Sequence, residues 1–379
     1  MIVFVCLSLN SQAQTIDSIA HQVLLRIENL QSKGDKYFPQ GLMPTYRGYE
    51  KNSNNIKPDN TVFTTGVIVF ILKKLRPKLS LPDQIICDSI AQRAYPSFKK
   101  YKNLKGRNTY NFWRTDTLNF SPNSGWLNVV MSKKSLPDDM DDTVMLLLAL
   151  GINDAEANDV HELMQNFVNT KYSTINNTFK EFKYIKAYST WFGKKMPVDF
   201  DICVLSNVLY FTKQHHISFS AADTASVDYI TKLLDKKYHI SDADYVAPYY
   251  PTTSLILYHL SRLMSVAEPI AVLEKYKPQL IIDAKNCYAK ATSITEKVIL
   301  QTALMRWGEK DLQPLIIDGD NFFDVLENNS FIYFIANMAS YLKNPYKRLI
   351  GNTGLVKFNY YCPAYNDVLF LENLLTSVK

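Results

Sequence analysis

The chain has 379 residues, 47% of them hydrophobic, with only 12 Gly and 16 Pro and a formal net charge of +6. That is ample apolar material for a sizeable core and too little Gly and Pro for a disordered or low-complexity chain. The positive balance is dispersed, its largest clusters being the pairs Lys73-Lys74, Lys99-Lys100 and Lys236-Lys237. Such pairs read as solvated helix faces, so no nucleic-acid partner is expected.

In chain order, Met1 to Leu9 is apolar and Ser11-Gln12-Ala13 offers a small-x-small cleavage pattern. Residues 1–14 are therefore expected to be a signal peptide, with the protein exported to the periplasm or secreted. Residues 15–379 are read as a single domain. No later stretch is long and apolar enough to span a membrane, although peripheral membrane contact remains compatible with the chain. Cys87, Cys203, Cys287 and Cys362 are far apart without metal-type spacing, which suits buried thiols better than a ligand set.

Ile16 to Lys33 carries Ile19, Val23, Ile27 and Leu30 on one face and reads as an amphipathic helix ending before Gly34. Thr61 to Leu75 is apolar on nearly all sides, as a helix inside a larger core must be. Pro82 to Lys102 has a more polar outer face. Asn103 to Leu136 is a long irregular segment bearing Tyr110, Phe112, Trp113, Phe120 and Trp126. Loops of that length lie over clefts or serve function.

Asp138 to Leu150 is the next helix, followed by an amphipathic partner over Ala155 to Asn169. The pattern then repeats. Val198-Asp199-Phe200-Asp201 opens a helix to about Lys213, and Ala222 to Lys236 follows. Tyr249-Tyr250-Pro251 opens one to Met264, another begins near Pro269, and Thr292 to Trp307 and Tyr365 to Leu375 complete the series. No segment reads as a strand. One helix of each pair is apolar all round and the other has a polar face.

This pattern predicts an all-α fold, an α/α toroid of about six helix hairpins with an inner and an outer ring. In such a ring the inner helices run the same way and their starts gather at one mouth. Those starts carry Thr64-Thr65, Asp139, Asp141 and Asp142, Asp199 and Asp201, Tyr249 and Tyr250, and Ser293 and Thr295.

The most unusual stretch is Pro137-Asp138-Asp139-Met140-Asp141-Asp142-Thr143. Proline and Asp suit a helix start, because Pro lacks the unpaired N–H and Asp oxygens accept from the free ones. Four acids exceed what a cap needs. Clustered carboxyls can cap, bind a divalent cation, or share protons through mutual repulsion.

Asp139-Met140-Asp141-Asp142-Thr143 resembles the Asp-x-Asp-Asp-Thr motif of class II terpene cyclases of the squalene–hopene cyclase type. The resemblance covers five residues and the helix-pair architecture. It implies that Asp141 is the general acid that protonates an alkene or epoxide, with Asp139 and Asp142 holding and polarising it. It also implies that aromatic residues stabilise carbocations, for which Tyr249, Tyr250, Trp113, Trp126, Tyr360 and Tyr361 are the candidates. The family's Gln- and Trp-containing repeat is not evident.

Asp138-Asp139-x-x-Asp142 also resembles the Asp-Asp-x-x-Asp motif of class I isoprenoid synthases, which holds magnesium on a diphosphate. That family's second metal motif is not found, so no metal or cofactor is expected unless the substrate is a diphosphate.

Two further readings stay open: an exported carbohydrate-active enzyme using Asp141 with Asp199 or Asp201 as acid and base, and a toroid that binds without catalysis. The substrate is accordingly expected to be a small apolar molecule or a glycan. Asp199 and Asp201 are equally readable as helix caps, and His215-His216 as a solvated pair at a helix end.

Overall fold

The computed structural model describes residues 2–49, 52–116, 138–194, 196–310, 312, 315, 322–327, 331–351 and 353–377; of residues 2–15, 52–55 and 322 only the backbone is described. The fold is mostly helical. Its principal helices are α1 (Ile2–Leu30), α2 (Phe63–Leu75), α3 (Leu81–Phe98), α4 (Met140–Leu150), α5 (Asp154–Met164), α6 (Ile202–Gln214), α7 (Ala221–Asp235), α8 (Thr253–Leu263), α9 (Lys277–Lys290), α10 (Ile294–Arg306) and α11 (Pro363–Ser377). The first of these starts well before Ile16, so residues 2–14 continue it. The segment around Pro269 is one helical turn before α9, and α8 begins at Thr253 rather than at Tyr249.

Local chemistry sets these boundaries. Ser80, Asp139, Asn153, Asp201, Ser220, Thr252 and Ser293 each cap a helix start with a side-chain oxygen. Asn153 with Glu156 and Ser220 with Asp223 complete reciprocal capping boxes. Gly151 closes α4 in the left-handed region at φ 68°, which a side chain would strain.

Six helices form the core. In contact order α2 packs on α4, α4 on α6, α6 on α8, α8 on α10, α10 on α11, and α11 on α2. Their sequences explain the placement, since α2 is buried from Phe63 through Leu72 and α4 from Met140 through Leu147. Fully burying a large apolar side chain stabilises by about 1.5–3 kcal/mol, so helices apolar all round go inside. The flanking helices bury one face only. In α9 just Leu280, Asp283 and Ala284 are buried, and it lies against α10 and α8. Helix α1 packs on α11 and α3, α3 on α2, and α7 on α6.

The starts of the core helices are tied to one another. Val62 N–H donates to Phe112 O, and Tyr110 N–H to Thr143 Oγ1 at 3.0 Å, which joins α2 to α4. Met140 N–H donates to Thr190 O and Thr190 N–H to Asp199 O, joining α4 to the approach to α6. Tyr249 N–H donates to Asp201 Oδ2 at 3.0 Å, and Ser254 Oγ to Glu296 Oε1 at 2.7 Å, which adds α8 and α10. Tyr360, just before α11, donates to Asp59, just before α2, at 3.1 Å.

One expectation is corrected: the chain does form strands. β1 (Tyr46–Tyr49), β2 (Asn52–Pro58), β3 (Phe334–Asn337) and β4 (Lys357–Tyr361) make an antiparallel sheet in the order β2-β1-β4-β3. Tyr46 faces Tyr361 and Phe334 faces Tyr360. The strands are short and show little alternation, and the central pairing joins opposite ends of the chain. The sheet lies at the helix-start end, where it places Tyr360 in the interior and Phe334, half-buried, against it.

Candidate functional site

Asp139 is the N-cap of α4, and its Oδ1 accepts from Asp141 N–H at 2.6 Å and Asp142 N–H at 3.3 Å. Asp201 does the same for α6, with Oδ1 accepting from Cys203 N–H at 2.7 Å and Val204 N–H at 3.2 Å, and Oδ2 from Tyr249 N–H. These two acids are structural caps, each with Oδ1 accepting from two backbone N–H groups.

Asp141 is different. It is 4% exposed, and no backbone N–H holds its carboxyl. Asn207, in the middle of α6, donates from Nδ2 to Oδ1 at 2.6 Å, and Tyr250 donates its hydroxyl to Oδ2. Arg262 of α8 in turn donates from Nη2 to Asn207 Oδ1 at 2.5 Å. Burial pushes the Asp141 carboxyl above the ordinary range, against the pull of Tyr250, Asn207 and Arg262.

Asp142 has a buried Oδ1 with no hydrogen-bond partner among the described residues. Burial, then the neighbouring charges of Asp139, Asp141 and Asp138, push its pKa well up. Asp139 is pushed up by burial and Asp141, and held back by the two N–H bonds it accepts. Asp138 turns the other way, with Oδ2 accepting from Asn103 Nδ2 and Thr109 Oγ1, both at 2.5 Å. The acids therefore do not present one shared oxygen-lined face. Among the described residues no group of three or more His, Cys, Asp or Glu is arranged to hold a metal ion.

Asp199 is not a helix cap, contrary to one reading of the sequence. It lies two residues before α6's cap and reaches across the site instead. Its Oδ2 accepts from the Tyr249 hydroxyl at 3.0 Å, and its Oδ1 accepts from Asn177 Nδ2 at 2.9 Å and faces Lys347 Nζ at 3.4 Å. As a pair for Asp141, Asp201 has both oxygens committed and Asp199 already has three donors.

An aromatic layer closes over these groups. Phe334 on β3 lies 5.5 Å from the Tyr250 ring, 6.5 Å from Tyr249, 5.3 Å from Phe63, and 5.5 Å from both Phe112 and Tyr360. Three tyrosines around Phe334 each end on a buried aspartate: Tyr250 on Asp141, Tyr249 on Asp199, and Tyr360 on Asp59. Trp191 stacks with Tyr341 beside Tyr249.

Two aromatic candidates belong elsewhere. Trp113 donates from Nε1 to Asp59 at 2.8 Å and touches Phe112, so it supports the layer from behind rather than facing Asp141. Tyr361 is half-buried, and its hydroxyl donates to Glu327 O at 2.7 Å. Strand alternation turns it away from Tyr360, which takes the inward place. Trp126 lies outside the described residues.

Sequence reasoning missed Asn207, Arg262, Asn177, Lys347 and Phe334. A signal existed for the first two: a polar residue in a helix otherwise buried all round must find a partner inside. Cys87, Cys203 and Cys362 are buried thiols and Cys287 is half-buried, with none of the four in a disulfide. His215 caps the end of α6 and meets Asp154 at 2.9 Å, while His216 is exposed. No helix among the described residues is long and apolar enough to cross a membrane. No protein-family model, no curated protein and no solved structure matches the chain.

Proposed function

We propose that the chain is an α/α toroid enzyme that protonates an apolar, isoprenoid-type alkene with Asp141 as general acid. The toroid reading is supported by the succession of core-helix contacts that returns from α11 to α2, and by the single end at which the helix starts meet. The observation that carries the chemistry is the environment of Asp141: a buried carboxyl held by side chains, not by backbone N–H groups, beneath a layer of aromatic rings.

The acid must hold its proton until an alkene is present. Burial raises its pKa for that purpose. In the protonated state the proton sits on Oδ2, on the lone pair that the Tyr250 hydroxyl leaves free, while Oδ1 stays the acceptor for Asn207. Transfer moves it to one alkene carbon through the π pair and leaves a carboxylate and a carbocation. Asn207, with Arg262 behind it, stabilises the carboxylate. The faces of Tyr249, Tyr250 and Phe334 are placed to stabilise the cation. Return of a proton from a neighbouring carbon to the Asp141 carboxylate forms the new alkene, completes an isomerisation or cyclisation and regenerates the acid. The dry aromatic surroundings disfavour quenching by water.

An open polysaccharide groove would expose its carboxyls and line them with hydroxyl and amide groups, unlike this buried arrangement. The test is to incubate purified protein with squalene, polyprenyl diphosphates and common glycans, comparing wild type with Asp141→Asn. Conversion of an isoprenoid that disappears in the variant is expected. Turnover unaffected by Asp141→Asn removes the proposed acid, and products from glycans alone retire the isoprenoid reading.

A further inference from the structure

The opposite end of the core helices carries a second cluster, of which the function proposed above uses only Arg262, through Asn207. Lys74 in the last turn of α2, Arg262 in the last turn of α8 and Arg306 in the last turn of α10 converge around three rings. Lys74 Nζ and Arg262 Cζ both lie 5.8 Å from the centre of Phe70. Arg262 and Arg306 lie 5.6 and 4.8 Å from the centre of Tyr258. Lys74 donates to the Tyr210 hydroxyl at 2.6 Å. Among the described residues Glu372 of α11 is the one carboxylate paired in the cluster, accepting from Arg306 and from the Tyr258 hydroxyl.

Cations at helix C-termini usually balance the helix dipole by meeting terminal carbonyls. Here other residues do that: Lys73 donates to Ala149 O at 2.9 Å and Lys78 to Leu375 O at 2.8 Å. Lys74 and Arg262 turn inward instead, onto a hydroxyl and an amide. Arg262 is 3% exposed, yet its Nη1 has no hydrogen-bond partner among the described residues. A buried guanidinium left partly unsatisfied is a mark of a group that completes it.

We propose that Lys74, Arg306 and Arg262 form a binding site for a small phosphate-type oxyanion, inorganic phosphate or diphosphate, at the C-terminal ends of α2, α8 and α10. Three cations against one carboxylate leave a surplus that a phosphate dianion matches and a single carboxylate does not. Arginine forks and a lysine suit its tetrahedral oxygens. Access runs past Lys74, which is exposed. Its pKa is nevertheless held down to about 8, by surrounding protein first and Arg306 next, with Arg262 adding to this and Glu372 opposing. The bound anion draws in Arg262 Nη1. Because Arg262 also holds Asn207, which holds Asp141, occupancy here alters the field at the acid.

The test uses the full chain and calorimetric titration with phosphate and with diphosphate at pH 7. Saturable binding is expected, weakened about tenfold or more by Lys74→Gln, the loss of one charge-assisted contact. Lys73→Gln, which removes the same charge from a carbonyl-capping residue, should leave binding unchanged. Circular dichroism checks that both variants fold. No saturable binding, or equal weakening by both variants, overturns the site. So does protein that sediments with phosphatidic-acid vesicles but ignores free phosphate. None of these outcomes depends on alkene turnover, so this site and the Asp141 chemistry can fail separately.

Discussion

Tyr250 sets its hydroxyl on Oδ2 of Asp141, so the approach to α8 is bonded to the first turn of α4. Two positions earlier in the acidic stretch, Asp139 spends its carboxyl on backbone N–H groups. Neighbouring acids with similar burial thus have different work, and substitutions should separate them.

Asp139→Ala removes a cap and should destabilise the fold by ~1–2 kcal/mol, whereas Asp139→Asn retains an acceptor and should lose much less. Asp141→Asn leaves the cap intact. It replaces a buried ionisable carboxyl with a neutral amide of the same shape and should leave stability unchanged or slightly raised while abolishing any acid catalysis. Urea denaturation of the three variants reads this directly; equal losses from Asp139→Ala and Asp141→Asn contradict the division of labour.

The pH dependence of stability follows from the buried carboxyls. Asp201 and Asp367 are both pushed up to about 7 by burial, and Asp59, Asp139, Asp141 and Asp142 are raised as well. Between about pH 4 and 7 the folded chain keeps protons that the unfolded chain has released. Stability from these groups is full at the acid end and is lost as pH rises through 7, at about 1 kcal/mol per group per pH unit. Buried His239 and His259 are pushed down and act in the opposite sense below about pH 6.5, but they are fewer. The urea midpoint should therefore fall from pH 5 to pH 7.5, and Asp201→Asn should flatten the slope. A midpoint that climbs over this range contradicts the assignment.

Lys347 and Asp199 are both buried and 3.4 Å apart. Lys347→Met leaves a buried carboxylate with Asn177 and Tyr249 alone and should destabilise by about 3 kcal/mol. The double variant Lys347→Met/Asp199→Asn removes both charges and should recover more than half of that loss. A double-mutant cycle measures it; additive losses would show that the pair is not coupled.

Gly41 has φ +88°, and a Cβ there would stand 1.9 Å from Arg93 O of α3. Gly41→Ala combines a disfavoured backbone conformation with a backbone clash and should cost about 3 kcal/mol or more. Thermal melting checks it. A melting temperature within a degree of wild type would mean that this loop does not dock on α3 in solution.

The helices were legible because their signals are local. Asp139, Asp201, Ser220 and Ser293 announce their caps within four residues, and α2, α4 and α6 are apolar over whole turns. The strands were not, because Tyr46 finds Tyr361 and Phe334 finds Tyr360 only after the helices assemble. The same limit hid Lys347 and Asn177, which reach Asp199 from irregular segments. Tyr249 and Tyr250 could be placed near the acids from their position before α8, but which acid each would meet depended on tertiary geometry. Tyr361 and Tyr360 illustrate the remaining ambiguity: adjacent aromatic residues look alike in a sequence, and strand phase decides which one turns inward.

The seam between β1 and β4, with α1 and α2 seated on α11, has a consequence for biosynthesis. A nascent polypeptide emerging from the ribosome holds Tyr46 for more than three hundred residues before Tyr361 exists, and α2 for nearly as long before α11 can cover its remaining flank. Until then the apolar flank of α2 and an open strand edge stay uncovered, the kind of surface that chaperones recognise. Assembly of this side of the core therefore waits on α11, the segment that commits it.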